Sequence, residues 1–281
     1  MRLAKSLPTF GAPRRGKSFP TRVLRLFTTT LLVKDRDGVR GFLDQDPVGN
    51  AVVWDRVFQQ DDHQVYVEGE PLRGLIAIRR GRRENSPNFI VLHASDVEAA
   101  GALCERIPAG FAIFHLTDEF PLAILEPRAT EFRPRPAWLF RLDSATFLAK
   151  TDARVRALDP RWAGRVAKLW EPDWPAESYV RARIETAPTA AIYEDQEPVA
   201  WALTHMVTDK VGVIGMVHVL DGFRRKGLAR SVVSAISRDL IRLGKIPALH
   251  AYVDNTASLA LFPTLGFRKV RRQAWGDAVF R

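Results

Sequence analysis

A single cysteine, Cys104, in 281 residues rules out an internal disulfide and suits a reducing compartment. Its neighbours Val97, Ala100, Leu103 and Ile107 follow helical spacing, so the thiol reads as a small buried hydrophobe rather than a nucleophile. No apolar run approaches the roughly 20 residues of a membrane span, and no segment has the long apolar core of a secretory signal. Acidic residues are missing from Met1–Lys34, which holds Arg2, Lys5, Arg14, Arg15, Lys17, Arg22, Arg25 and Lys34 and supplies most of the formal net charge of +10. Such a basic, acid-poor arm is shared by mitochondrial transit peptides, disordered tails and stretches upstream of a true start, and the residues leave these open. Basic arms also bind nucleic acid, but no helix-turn-helix, zinc or aromatic RNA-binding motif accompanies this one. A nucleic-acid partner and a bound metal are therefore not expected. A hydrophobic content of 46% with 26% charged residues is that of a globular protein, and the length allows one large or two ordinary domains.

The most informative stretch runs from Met216 to Ser231. Val211–Val219 is β-branched, apolar and uncharged, as a strand buried on both faces should be. From Ala229 to Leu243, Val232, Val233, Ala235, Ile236, Leu240 and Ile241 follow helical spacing. Between them lie Arg224, Arg225, Lys226 and Gly227, and the glycine removes a side chain where backbone would approach a ligand. Free amides at a helix start, aligned with the helix dipole, favour an anion such as phosphate. A basic loop between strand and helix is by itself commonly a solvated connection, so the neighbouring residues matter.

Arg224-Arg225-Lys226-Gly227-Leu228-Ala229 has the form Arg-x-x-Gly-x-Ala and resembles the acyl-CoA pyrophosphate loop of the Gcn5-related N-acetyltransferase (GNAT) superfamily. The resemblance continues through a strand at Ala248–Val253, a helix opened by Asp254-Asn255-Thr256-Ala257-Ser258, and Leu265-Gly266-Phe267. Val-Asp-Asn-Thr-Ala-Ser, with His218-Val219-Leu220 before the loop, is most similar to the glycine N-acyltransferase-like branch. The resemblance implies an α/β chain with a mixed central sheet flanked by helices: a tandem GNAT-like fold with a degenerate N-terminal half and a complete C-terminal GNAT domain.

The rest of the chain is read with that expectation. Residues 1–29 form the arm, 30–126 an α/β half, 127–136 a proline- and arginine-rich linker and 137–281 the GNAT domain. In the first half, Asp35–Gln59 reads as interrupted helix, His63–Glu68 and Leu72–Arg79 as a hairpin, and Asn88–His93 as a strand. Ser95–Ile107 reads as a helix capped by Ser95, and Gly110–His115 as a further strand. No Arg-x-x-Gly stands after Phe89–His93, and Asp96 occupies the place where phosphate would sit, so no cofactor is expected there. In the second half, Asp159-Pro160 opens a helix, Trp170 and Trp174 flank a rigid loop, and Ser178–Glu185 reads as a helix. Thr189–Tyr193 and Pro198–Met206 form a hairpin, and Phe267–Phe280 reads as two strands broken near Trp275-Gly276-Asp277.

The expected chemistry is transfer of an acyl group from acetyl-CoA or another acyl-CoA to the amine of a small molecule such as an amino acid. By resemblance, Val217, Val219, Leu220, Arg224, Arg225, Lys226, Gly227, Leu228, Ala229, Arg230, Asn255, Ser258 and Phe262 would contact the cofactor. The NH of Val219 would polarise the thioester carbonyl, His218 would take the amine proton, and Tyr252 would return one to the thiolate. His205, Asp221 and Glu185 are further candidates for the base. Many members carry a tyrosine where this chain has Phe262, so Tyr252, solvent or an unassisted departure must serve instead. By the same resemblance Trp170 and Trp174 would line the acceptor site. A noncatalytic acyl-CoA sensor is the alternative, and acetylation of a protein N-terminus or lysine a second. A cytoplasmic monomer or homodimer is expected.

Overall fold

Among the described residues the apolar runs gather into one sheet of 11 strands flanked by helices. The structure is a computed structural model and describes residues 30–82, 86–172 and 174–281, so the arm expected at 1–29 lies outside it. The strands are β1 (Leu31–Leu32), β2 (Gln64–Glu68), β3 (Gly74–Arg79), β4 (Asn88–Ala94), β5 (Gly110–Leu116), β6 (Ala129–Arg141), β7 (Thr189–Glu194), β8 (Glu197–Val207), β9 (Val211–Val219), β10 (Ile246–Tyr252) and β11 (Arg268–Phe280). The helices are α1 (Arg40–Leu43), α2 (Ala51–Phe58), α3 (Val97–Cys104), α4 (Leu122–Leu125), α5 (Ala163–Trp170), α6 (Glu177–Thr186), α7 (Leu228–Arg242) and α8 (Thr256–Leu261).

The spatial order is β1-β2-β3-β4-β5-β11-β6-β10-β9-β8-β7. Each half contributes an antiparallel hairpin (β2–β3 or β7–β8) and then a parallel pair joined through a helix, β4-α3-β5 or β9-α7-β10. Strand β11 lies between the halves, antiparallel to β5 on one side and to β6 on the other. One sheet face is covered over the second half by α7 and the segment after α8, with Leu228, Val232, Val233, Ile236 and Leu240 against Ala200, Ala202, Ile214 and Leu249. On the opposite face α2 spans the junction. Its Val52, Val53 and Val57 share a core with Leu75 and Val91 of the first half and with Leu139, Met206 and Val213 of the second. Helices α5 and α6 cover the same face beside it, over Trp201, Leu203 and Met216.

Three expectations are corrected. The segment 127–136 is not an aperiodic linker, since most of it belongs to β6, which pairs with β11 along its length. Pro134 and Pro136 are tolerated because pairing with β10 begins only at Ala137, leaving that stretch of β6 an edge on one side. Phe267–Phe280 is one strand rather than two. A Cβ on Gly276 would come 2.4 Å from Phe114 Cζ and 2.7 Å from the Arg133 carbonyl, so this glycine answers close packing rather than a turn. Helix α3 is capped by Asp96, which accepts from the Ala99 amide at 2.8 Å, and not by Ser95. Cys104 is buried, and burial pushes its thiol up to about 12, which leaves it inert.

Candidate active site

Strands β9 and β10 pair in parallel only from Val211↔Ile246 to Ile214↔Leu249. Beyond that they separate. On β9 the register with β8 moves from Gly215↔Leu203 to His218↔Trp201, so that Met216 and Val217 stand opposite Ala202 alone. Met216 takes φ 52°, and this bulge bends the strand away. Meanwhile His250, Ala251 and Tyr252 of β10 are held by β6. The Leu220 amide donates to the Val199 carbonyl, toward β8, so by alternation the Val219 amide and carbonyl face the gap. The Val219 carbonyl accepts from Arg224 Nε at 3.2 Å. Val217 and Val219 turn their side chains onto the α7 core, whereas His218 turns to the other face and stacks on Trp201 with ring centroids 4.9 Å apart.

The bent strand leads into the loop. Arg225 at φ 64° and Gly227 at φ 77° bracket Lys226, and Gly227 precedes α7, a helix of 15 residues whose first amides receive no side-chain cap. Donors at Leu228, Ala229 and Arg230 are therefore left for an external anion, with the helix dipole behind them. Arg224 is paired with Asp221 at 2.8 Å, whereas Arg225 and Lys226 have no carboxylate partner among the described residues. A further cation was not anticipated from the sequence. Lys150 is anchored by its amide to Ser234 Oγ at 2.7 Å, and its Nζ lies 3.7 Å from where a Cβ on Gly227 would stand. No motif marks it; a chain crossing from another element brings it there.

Other expected cofactor residues are engaged elsewhere. Arg230 donates to the Thr264 carbonyl at 3.0 Å, away from the loop. Asn255 accepts from the Ser258 amide at 3.0 Å, so these two residues cap α8 between them. Phe262 is buried, packed on Phe140 and Phe267, so its ring is a core group rather than a cofactor contact. Leu228 likewise buries its side chain, leaving only its backbone for the loop.

A cavity of about 100 Å³ opens where β9 bends, lined by Val166, Leu169, Trp170, Trp201, Met216, Val217 and His218. Trp170 also stacks on Tyr179 at 6.0 Å and meets Trp174 at 5.9 Å and His205 at 5.5 Å. Trp174 reaches Phe89 of the first half at 6.5 Å, so both halves wall this side. Tyr179 Oη donates to the His205 carbonyl at 2.8 Å and meets His205 Nδ1 at 3.0 Å. Burial, with Arg224 adding to it, lowers the His218 pKa, so its imidazole is neutral at physiological pH. Burial raises Tyr252, and Arg135, whose guanidinium lies 4.0 Å over the ring, opposes that. Glu185 and Asp221 are exposed. Among the described residues no cluster of three or more His, Cys, Asp or Glu is placed to hold a metal, and no helix is long and apolar enough to cross a membrane.

Comparison with known proteins agrees with this geometry. Residues 192–276, from β7 into β11, match the family model described as FR47-like protein. No curated protein matches the sequence. Among solved structures, a Drosophila protein is similar at TM-score 0.68 and 17% identity, over 90% of this chain and 98% of its own. A Gcn5-related N-acetyltransferase from Sphaerobacter thermophilus aligns at TM-score 0.59 and 12% identity, over 90% and 96%. A tandem GNAT protein from the clavulanic acid biosynthesis pathway aligns at 0.53 and 13%, over 89% and 98%. At these identities the likeness is one of fold: the chain has a mixed α/β fold of the GNAT kind.

Proposed function

We propose that the chain is an acyl-CoA dependent N-acyltransferase, with acetyl-CoA the expected donor and a small amine such as an amino acid the acceptor. The observation that carries this is the arm of β9 beyond Ile214, paired with β8 but left open on the β10 side, which runs into the uncapped start of α7. An extended pantetheine can pair with the open strand edge, while the α7 amides, Arg225, Lys226 and Lys150 meet the pyrophosphate. The thioester then lies beside the bulge, where the Val219 amide can donate to the carbonyl oxygen as negative charge develops on it. The ammonium gives up one proton to become a nucleophile, and the C–N bond forms as the C–S bond breaks. The second nitrogen proton leaves as the amide forms. His218 is the proposed acceptor of one of these protons, and Tyr252 the proposed donor to the departing thiolate.

The aromatic wall of Trp170, Trp174 and Tyr179, closed further by Phe89, supports a small acceptor rather than an extended peptide. The glycine N-acyltransferase-like branch and a tandem origin of the two halves belong to this proposal, as does a cytoplasmic site of action. Calorimetric titration with acetyl-CoA and longer acyl-CoAs, followed by thiol release with an amine panel, tests it. Micromolar binding with amine-dependent thiol release is expected. Binding without turnover would instead make the chain an acyl-CoA sensor, and no binding would remove the reading altogether.

A further inference from the structure

Behind the open strands lies a buried polar group with no part in the steps proposed for His218 and Tyr252. Gln273 of β11 is almost wholly enclosed, and its amide makes four contacts. Nε2 donates to the carbonyls of Gly49 at 2.8 Å and Thr117 at 3.2 Å, both in the first half. Oε1 faces two histidines, His250 Nε2 at 2.7 Å and His115 Nε2 at 3.1 Å. The orientation of this amide is not free. Turned over, it would set its oxygen against two carbonyl oxygens with no proton between them. Oε1 is thus an acceptor, and both histidines must donate to it through Nε2–H.

A neutral imidazole carries one ring proton, so fixing it on Nε2 leaves the lone pair on Nδ1. For His115 that lone pair is sealed and unpartnered. His250 differs: it is only half-buried, and its Nδ1 has no partner among the described residues. It is the first residue of β10 past the last parallel pair with β9. Its cross-strand partner is Leu139, whose side chain joins the α2 core, so His250 faces the same side of the sheet as His218. One histidine therefore stands on each arm of the gap. Ala137 of β6 lies between β10 and β11 opposite both Tyr252 and Gln273, and its small side chain leaves room for Gln273 and His250 to meet across that strand.

Resting on the acyltransferase reading, we propose that His250 is a second proton acceptor of the reaction, held in its Nε2–H tautomer by the positioning residue Gln273, through which the first half takes part in the chemistry. The acceptor ammonium must shed two protons and His218 accounts for one. The other passes to His250 Nδ1, which returns it to solvent, while Tyr252 protonates the leaving thiolate and is restored, through solvent, by the proton that His218 took. Burial lowers the His250 pKa, against the hydrogen bond that His250 Nε2–H donates to Gln273 Oε1, and this keeps Nδ1 unprotonated and ready.

The test reads tautomer and turnover separately. Long-range proton–nitrogen spectra of the full chain, labelled with ring-15N histidine, are recorded at pH 7 with His250→Gln and His115→Gln for assignment. The wild-type His250 signals should show a protonated Nε2 and a bare Nδ1, and Gln273→Met should let the other tautomer appear. His250→Gln should lower kcat about 100-fold, and Gln273→Met about tenfold, with acyl-CoA Kd within about twofold of wild type. A proton on Nδ1 in the wild type overturns the proposal, as does wild-type kcat in His250→Gln. A wild-type chain that neither binds acyl-CoA nor turns over any amine removes the acyltransferase reading and this one with it. Unaltered turnover in a variant that still binds removes this one alone.

Discussion

The two parallel strand pairs of the sheet are built alike and end differently. In the first half β4 and β5 pair from Asn88↔Ala112 to Leu92↔Leu116, and the Thr117 amide closes the end on the Leu92 carbonyl. The helix that follows β4 is capped by the Asp96 carboxylate, which also faces Arg73 at 3.5 Å. In the second half the pairing stops at Leu249, the strands part at a bulge, and α7 starts from Gly227 without a cap. One unit satisfies its donors internally, while the other leaves them exposed. The proposed binding site is a set of backbone groups the fold leaves unpaired, whereas at the matching helix start of the first half the Asp96 carboxylate accepts from the Ala99 amide.

Breaking the open unit should have the largest effect. Gly227→Glu forces a side-chain-bearing residue into left-handed backbone and puts a carboxylate at the anion site. Acyl-CoA affinity should fall by at least about 100-fold in calorimetry, with a melting temperature within a few degrees of wild type. Retained affinity would mean the anion sits elsewhere.

Acid should test whether the halves are one cooperative body. Burial holds His63 and His93 of the first half down to about 4 and His205 of the second to about 3. These folded values lie below the ordinary value of about 6.5, so the unfolded chain takes up protons first as pH falls. The stability these groups contribute is complete above pH 6.5 and is lost on the way down to pH 4, or to pH 3 for His205, by up to about 1.4 kcal/mol per pH unit for each. The urea midpoint should fall between pH 7 and pH 5 in a single transition, and two separated transitions would divide the sheet.

A smaller change sharpens the contrast in charge. Lys150→Ala should weaken acyl-CoA binding about three- to tenfold, and the difference should shrink in high salt. Smallest is Asp96→Ala, which removes the α3 cap and should cost about 1 kcal/mol in urea denaturation while acyl-CoA affinity stays unchanged.

Much of the open unit was legible because its signals are local. Val211–Val219, the glycine of the loop and the spacing of α7 are each stated within a few residues, and Asn255 was visible as part of a helix start. What escaped notice depends on distant partners. Pro134 and Pro136 looked like linker because nothing near them says that β11 will pair alongside. Gly276 looked like a turn because Phe114 and the Arg133 carbonyl, which exclude a Cβ there, lie far off in the chain. Phe262 was legible as an apolar residue, but not as one turned into the core. Lys150 and Gln273 carried no signal at all, since each acquires its place from contacts made across the sheet.

Strand β11 follows every other strand in chain order, yet it lies at the middle of the sheet with β5 and β6 on its flanks. During synthesis the two halves cannot be joined edge to edge until this segment has left the ribosome. Until then β5 and β6 each present an unpaired rim of backbone to other chains. The nascent protein therefore depends on β11, made after both of its neighbours, to close the seam, and a transcript or protease cut that removes β11 should yield aggregate rather than a smaller folded half.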